Sequence, residues 1–282
     1  MNDPIVTPRW LLARMYEPGL VIADCRFNLA DPEEGRGAYL RDHIPGAVYL
    51  HLDEDLSAPV REHGGRHPVP DPGLLAASLG RAGISRSSLV VAYDDQGGLY
   101  ASRLWWLLQY LGHERAYVMD QGYSAWKAAG FPVTDHRPVT IPASYEPAPR
   151  PELLAEIGEI RTISAEGAAS GAILIDSRAN DRYRGENETM DKKAGHIPGA
   201  VNYFWKDTQH ADGSYKSAEE LNEHFSGLDK DREVIVYCGS GVSACPNALA
   251  LKRIGFKKVR LYGGSWSDWI SYEENPVATG EA

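Results

Sequence analysis

The chain alternates short apolar runs with amphipathic stretches. Ile173–Ile175, Val234–Val236 and Val259–Leu261 are brief runs rich in β-branched residues. That is the pattern of strands buried on both faces. Leu104, Trp105, Leu107, Leu108 and Leu111 recur at helical spacing after the run Leu89–Tyr93. Ala248, Leu249, Leu251 and Ile254 do the same after the Val234 run. Gly112 and Gly255 stand where those helices should stop, because glycine takes the left-handed conformation that closes a helix end. Strand and helix in alternation predict an α/β fold with a mainly parallel sheet flanked by helices.

The pattern occurs twice. Arg41-Asp-His-Ile-Pro-Gly-Ala-Val48 returns as Ala194-Gly-His-Ile-Pro-Gly-Ala-Val201, with His43 and His196 153 positions apart. Val21-Ile-Ala-Asp24 answers Leu174-Ile-Asp176, and Leu89-Val-Val-Ala-Tyr93 answers Val234-Ile-Val-Tyr237. Val118-Met-Asp-Gln-Gly-Tyr-Ser-Ala-Trp126 answers Leu261-Tyr-Gly-Gly-Ser-Trp-Ser-Asp-Trp269. Each copy then reaches a Pro-Val pair, at Pro132 and Pro276. Blocks in one order at near-constant offset are the signature of duplication. Between the copies stand Pro138, Pro142, Pro147, Pro149 and Pro151, a spacing that prevents a helix and favours an extended linker. The expected organisation is a first domain over 1–139, a linker over 140–152 and a second domain over 153–282.

Composition narrows the class. The 282 residues are 43% hydrophobic and 10% aromatic, enough for real cores and against disorder. The formal net charge of −10, with no basic patch, argues against nucleic acid as a partner. No apolar run has the length of a membrane span, and the start lacks the pattern of a signal peptide. Cys25, Cys238 and Cys245 have no CxxC spacing and cannot build a disulfide framework. They are expected as free thiols in a reducing, cytoplasmic setting. No His/Cys cluster has metal-ligand spacing, and neither a metal nor another cofactor is expected.

The sharpest chemical feature is Val234-Ile-Val-Tyr-Cys238-Gly-Ser-Gly-Val-Ser-Ala-Cys-Pro246. A strand ends, a glycine-rich turn follows and a helix begins, with Pro246 suited to the first helical turn. Ligands of α/β sheets bind at the carboxyl ends of strands. Turn N–H groups and the helix dipole there stabilise a thiolate and any anion attached to it. Gly239 and Gly241 let the backbone curl around one atom. Cys238 is therefore the candidate nucleophile. The matching place in the first copy holds Asp94-Asp95, so one half is expected to be catalytic and the other supporting. The remaining cysteines read as core.

With its two His-Ile-Pro-Gly-Ala blocks, Asp176-Ser-Arg178, the Cys238 loop and the Gly-Ser-Trp-Ser-Asp-Trp269 end, the chain resembles the two-domain rhodanese-type sulfurtransferases. The resemblance covers nearly the whole chain. It implies tandem rhodanese-like domains and a Cys238 persulfide that passes its sulfur to a thiol, such as thioredoxin or glutathione, or to cyanide. Cys238-Gly-Ser-Gly-Val-Ser243 is similar to the loop of the mercaptopyruvate-using members, with Gly239, Gly241, Val242 and Ser243 at substrate-binding places. Thiosulfate-specific members carry basic residues just after the cysteine, where this chain has Gly239 and Ser240. A neutral loop suits a carboxylate-bearing donor, and 3-mercaptopyruvate is the expected one. Thiosulfate:cyanide transfer is the alternative.

The resemblance further implies that Ser240 joins Asp53 and a histidine, aligned with His67 and with His63 as competitor, to move a proton. Arg182 matches the arginine that holds the donor, in keeping with a planar fork that binds a carboxylate bidentately. Mercaptopyruvate enzymes have a second arginine about nine residues further on. This segment is two residues shorter and holds Asp191, Lys192 and Lys193, so a lysine replacement is left open. Arg178 and Arg184 read as ion-pair residues, His43 and His196 as structural hydrogen-bonding groups. Trp205 and Trp266 read as walls of the cleft.

Two other classes fit less well. A cysteine phosphatase needs an arginine six residues after its nucleophile, and position 244 is alanine. A non-catalytic binding module would need none of Cys238, Ser240 and Arg182.

Overall fold

The computed structural model describes residues 3–281. They form two compact units. The first comprises Met1–Ala58, Pro70–Arg150 and Gln209–Tyr215; the second comprises Pro59–Val69, Pro151–Thr208 and Lys216–Ala282. A piece of each repeat is thus lent to the other unit.

The first unit contains β1 (Ile5–Val6), β2 (Leu20–Asp24), β3 (Val48–Tyr49), β4 (Leu89–Tyr93) and β5 (Ala116–Met119) in the order β1-β5-β4-β2-β3. The second contains β6 (Leu154–Ala155), β7 (Ala172–Asp176), β8 (Val201–Asn202), β9 (Glu233–Tyr237) and β10 (Val259–Tyr262) in the order β6-β10-β9-β7-β8. Every pairing in both sheets is parallel. The registers coincide: Asp24 faces Tyr93 across β2 and β4, and Asp176 faces Tyr237 across β7 and β9. Asp94 and Cys238, each one residue past its tyrosine, are therefore equivalent positions. The central strands β4 and β9 are buried almost throughout, as their unbroken apolar runs predict.

Local signals in the sequence act as expected. The helices Leu99–Tyr110 and Cys245–Arg253 each end two residues before a positive-φ glycine, Gly112 and Gly255. Pro246 lies in the first turn of its helix. The proline-rich segment has no regular structure before Pro151. It runs along the first unit, with the N–H groups of Ala143, Ala148 and Arg150 donating to the Gly80, Leu111 and Tyr110 carbonyls. One expectation is corrected. The helix Leu99–Tyr110 is buried on nearly all sides rather than on one apolar face. Two of its buried polar side chains have partners within the unit, Arg103 Nη2 donating to the Leu56 carbonyl and Ser102 Oγ lying 3.3 Å from the Tyr215 hydroxyl.

The repeated Asp-x-Arg and His-Ile-Pro-Gly blocks brace each sheet in the same way. Arg178 forks onto Asp176 and donates to the Gly195 carbonyl, each at 2.6 Å. Arg26 repeats this on Asp24 at 2.6 Å and on the Asp42 carbonyl at 2.7 Å. Burial works against the Arg178 charge, but Asp176 outweighs it and holds the guanidinium above its ordinary range. His43 Nδ1 lies 2.7 Å from the Tyr39 carbonyl and His196 Nδ1 2.8 Å from that of Tyr183, each ring stacked on its tyrosine. These are structural histidines. Removing one partner of a buried pair strands the other charge. Arg178→Met is expected to lose about 3–5 kcal/mol in equilibrium urea unfolding.

Candidate active site

Cys238 follows β9 directly, and its side chain is buried. The turn after it is closed by Gly241 at φ +78°, where the N–H donates to Cys238 Sγ at 3.2 Å. A β-carbon at Gly241 would collide with the Gly263 carbonyl, so both the dihedral and the space demand glycine. The loop after β10 locks the turn from outside. Trp266 N–H donates to the Cys238 carbonyl and Ser267 N–H to the Gly239 carbonyl, both at 2.9 Å. Ser265 accepts the Cys238 N–H at 3.1 Å through Oγ and donates to the Tyr262 carbonyl at 2.9 Å. It does so at φ +56°, a conformation costly for a non-glycine residue. The first unit has Gly122 in this place at φ +73°. The sequence carried no sign that Ser265 holds the nucleophile's amide.

The first unit shows what this turn does with a negative charge. The Asp94 carboxylate accepts the N–H groups of Gln96, Gly98, Tyr100 and Ala101 at 2.7–2.9 Å. Burial pushes its carboxyl upward, and these four donors oppose the shift. Side chain and turn are satisfied by each other, with no nucleophile. In the second unit the equivalent side chain is a sulfur.

Ser240 is buried two residues past the cysteine, and its Oγ lies 2.8 Å from His67 Nδ1. His67 reaches it because Pro59–Val69 belongs to the second unit. The competitor His63 is exposed, 2.8 Å from Ser271 Oγ and stacked on Tyr272. Asp53 belongs to the first unit, where it is largely exposed and its N–H donates to His51 Nδ1. Partial burial raises its carboxyl. Val242 is buried and accepts the Cys245 N–H, while Ser243 is half-buried.

Arg182 stands near the loop, but Nε and Nη2 are engaged by Glu188 at 2.9–3.1 Å and Nη2 also by Asp191 at 3.0 Å. Arg66 pairs with Asp191, the acid that Arg182 also reaches. Lys192 is exposed, and the Lys193 carbonyl accepts the Trp266 indole N–H. Arg184 pairs with Glu186 and Glu281, as its ion-pair reading expects. Trp205 and Trp266 are both buried. Position 244 is a buried alanine with no charge to offer a phosphoryl group. Among the described residues, Glu33, His51 and Glu54 come within metal-ligand distance of one another. His51 Nδ1 accepts the N–H groups of Asp53 and Glu54, which puts the ring proton on Nε2, 3.2 Å from the Pro32 carbonyl. That imidazole has no lone pair left for a metal.

The rhodanese-like domain pattern matches residues 7–129 and 159–272. The chain belongs to the rhodanese-like family. It is 45% identical to a Pseudomonas aeruginosa protein named probable 3-mercaptopyruvate sulfurtransferase, over 98% of each chain. It is 33% identical to the thiosulfate sulfurtransferase of Bos taurus, over 94% of this chain and 91% of that one. The crystal structure of SseA from Escherichia coli, a 3-mercaptopyruvate sulfotransferase, superposes with a TM-score of 0.82 at 29% identity, covering 94% of this chain and all of the other. The tandem parallel sheets are thus two rhodanese-like domains, and sulfurtransferases of this family take a small-molecule sulfur donor.

The three thiols of this rhodanese-like chain differ in surroundings. Burial, with Asp24, Asp94 and Asp55 nearby, pushes the Cys25 thiol well above its ordinary range. Cys245 Sγ lies 3.4 Å from the Gly241 carbonyl. Cys238 Sγ has a backbone donor, the Gly241 N–H. Iodoacetamide at neutral pH is expected to label Cys238 first, read by peptide mass spectrometry, with Cys25 and Cys245 modified only on unfolding.

Proposed function

We propose that this chain transfers a sulfane sulfur from 3-mercaptopyruvate to a thiol or cyanide through a Cys238 persulfide. The observation that carries the donor is the Ser240–His67 hydrogen bond beside the nucleophile. The Cys238 thiolate attacks the donor sulfur, and the carbon–sulfur bond breaks with its electron pair left on carbon. The leaving group is the enolate of pyruvate, which must take up a proton. Ser240, relayed by His67, supplies it as general acid. Sulfite leaving from thiosulfate needs no such proton. An acceptor thiolate or cyanide then attacks the outer sulfur and releases the Cys238 thiolate.

Gly239, Gly241, Val242 and Ser243 shape the pocket around the persulfide, with backbone donors facing the charge that develops on sulfur. Arg182 binds the donor carboxylate. Thioredoxin or glutathione fits the acceptor role, since either presents one accessible thiolate. Three free, buried cysteines suit a reducing, cytoplasmic setting. Thiosulfate is the second reading, favoured by the Bos taurus relative.

Steady-state assays with both donors test this. A kcat/KM for 3-mercaptopyruvate at least about tenfold above that for thiosulfate, roughly 1.4 kcal/mol, is expected. Ser240→Ala is expected to lower kcat about 10²-fold with 3-mercaptopyruvate and to change it little with thiosulfate. Cys238→Ser abolishes both. The reverse donor preference overturns the donor assignment, and activity surviving in Cys238→Ser overturns the mechanism.

A further inference from the structure

Two guanidinium groups stand over the residue that follows the nucleophile. A β-carbon on Gly239 would lie 2.9 Å from Arg66 Nη2, 3.7 Å from Arg182 Nη2 and 3.8 Å from Asp191 Oδ2. Arg66 Nη1 pairs with Asp191 Oδ1, and Arg182 Nη2 donates to Asp191 Oδ2 at 3.0 Å. One carboxylate thus bridges two arginines, an oxygen to each, beside the residue that follows the nucleophile. Its side chain is only 2% exposed.

The neighbouring acid is held differently. Glu188 accepts the N–H groups of Met190 and Asp191 at 2.8 and 3.0 Å, and it also receives Arg182 and Arg178. Backbone and side-chain donors fix it in its turn. The described hydrogen bonds to the Asp191 carboxylate come from Arg66 and Arg182 alone. Both donors are side chains that can equally receive another planar anion. Arg66 is within electrostatic reach of the sulfur: burial lowers its guanidinium from the ordinary range, and the Cys238 charge acts in the opposite sense.

We infer that Asp191 is an internal occupant of the donor's carboxylate site, bridging Arg66 and Arg182 until the donor's own carboxylate takes its place. This rests on the donor being the α-keto acid proposed above. Arg66, Arg182 and Arg178 are balanced by Asp191, Glu188 and Asp176, so the paired cluster is electrically neutral while Asp191 occupies it. Exchanging one carboxylate for another keeps that balance around the arginines. A dianion such as thiosulfate brings a further negative charge beside Glu188. Asp191 is therefore a specificity-determining residue, and Arg66 is the second arginine of the donor site.

Pyruvate carries the donor's carboxylate and no transferable sulfur, so it reports occupancy without turnover. The measurement is the pyruvate concentration that half-protects Cys238 from iodoacetamide. With Asp191→Asn that concentration is expected to fall at least about fivefold, because the competing anion is gone. KM for 3-mercaptopyruvate falls with it. Asp191→Glu restores the wild-type value, and Arg66→Ala added to Asp191→Asn cancels the gain. If Asp191→Asn does not fold, Asp191→Ser removes the same charge and the same fall is expected. Unchanged or weaker protection in a folded variant overturns the inference, because Asp191 would then be orienting the arginines. Wild-type turnover of 3-mercaptopyruvate without the shift defeats this inference alone. The shift without turnover of 3-mercaptopyruvate supports the carboxylate exchange and defeats the donor reading.

Discussion

The chemistry depends on one tight turn, in which Gly241 folds back at φ +78° under the Gly263 carbonyl and places its N–H on Cys238 Sγ. No side chain fits there, and no other residue type adopts that dihedral at so little cost. The turn is rigid because the loop after β10 is hydrogen-bonded to it at three points, through Ser265, Trp266 and Ser267. Rigidity matters because donors that are already oriented need no reorganisation when charge develops on the sulfur.

The two halves show the same turn in two chemical states. At Asp94 a carboxylate fills it and accepts four backbone N–H groups. At Cys238 a sulfur stands in that place. The first unit is thus a built-in demonstration that this backbone favours an anion. The braces are shared as well: Asp24 with Arg26 repeats Asp176 with Arg178, and His43 on Tyr39 repeats His196 on Tyr183. Duplication kept the scaffold, while the reactive atom, its serine and its arginines stand in one unit.

Much of this was legible because it is local. Strand runs, terminating glycines, the Pro246 helix start and the Cys238 loop are each written within a few residues. The repeat made the equivalence of Asp94 and Cys238 visible before any fold was known. Residues that act through distant packing were not legible. Arg66 meets Asp191 across 125 positions, and nothing near His67 marked its neighbour as a ligand for that acid. Lys192 and Lys193 are the cations close in sequence to Arg182, yet the guanidinium paired with Asp191 comes from the other repeat. Ser265 was hidden for another reason: its left-handed backbone belongs by default to glycine, and only the hydrogen bond to the Cys238 amide accounts for a serine there. Periodicity shows the apolar residues of the helix Leu99–Tyr110 and not the distant partners, Leu56 and Tyr215, that let Arg103 and Ser102 be buried as well.

The most direct test is a single turnover without acceptor. The protein is mixed with one equivalent of 3-mercaptopyruvate, pyruvate is quantified, and the peptides are mapped by mass spectrometry. The account predicts one pyruvate released per chain and one added sulfur atom on the Cys238 peptide, removed when cyanide is supplied. Pyruvate release with the sulfur on Cys25 or Cys245, or with no sulfur on the protein, would contradict it.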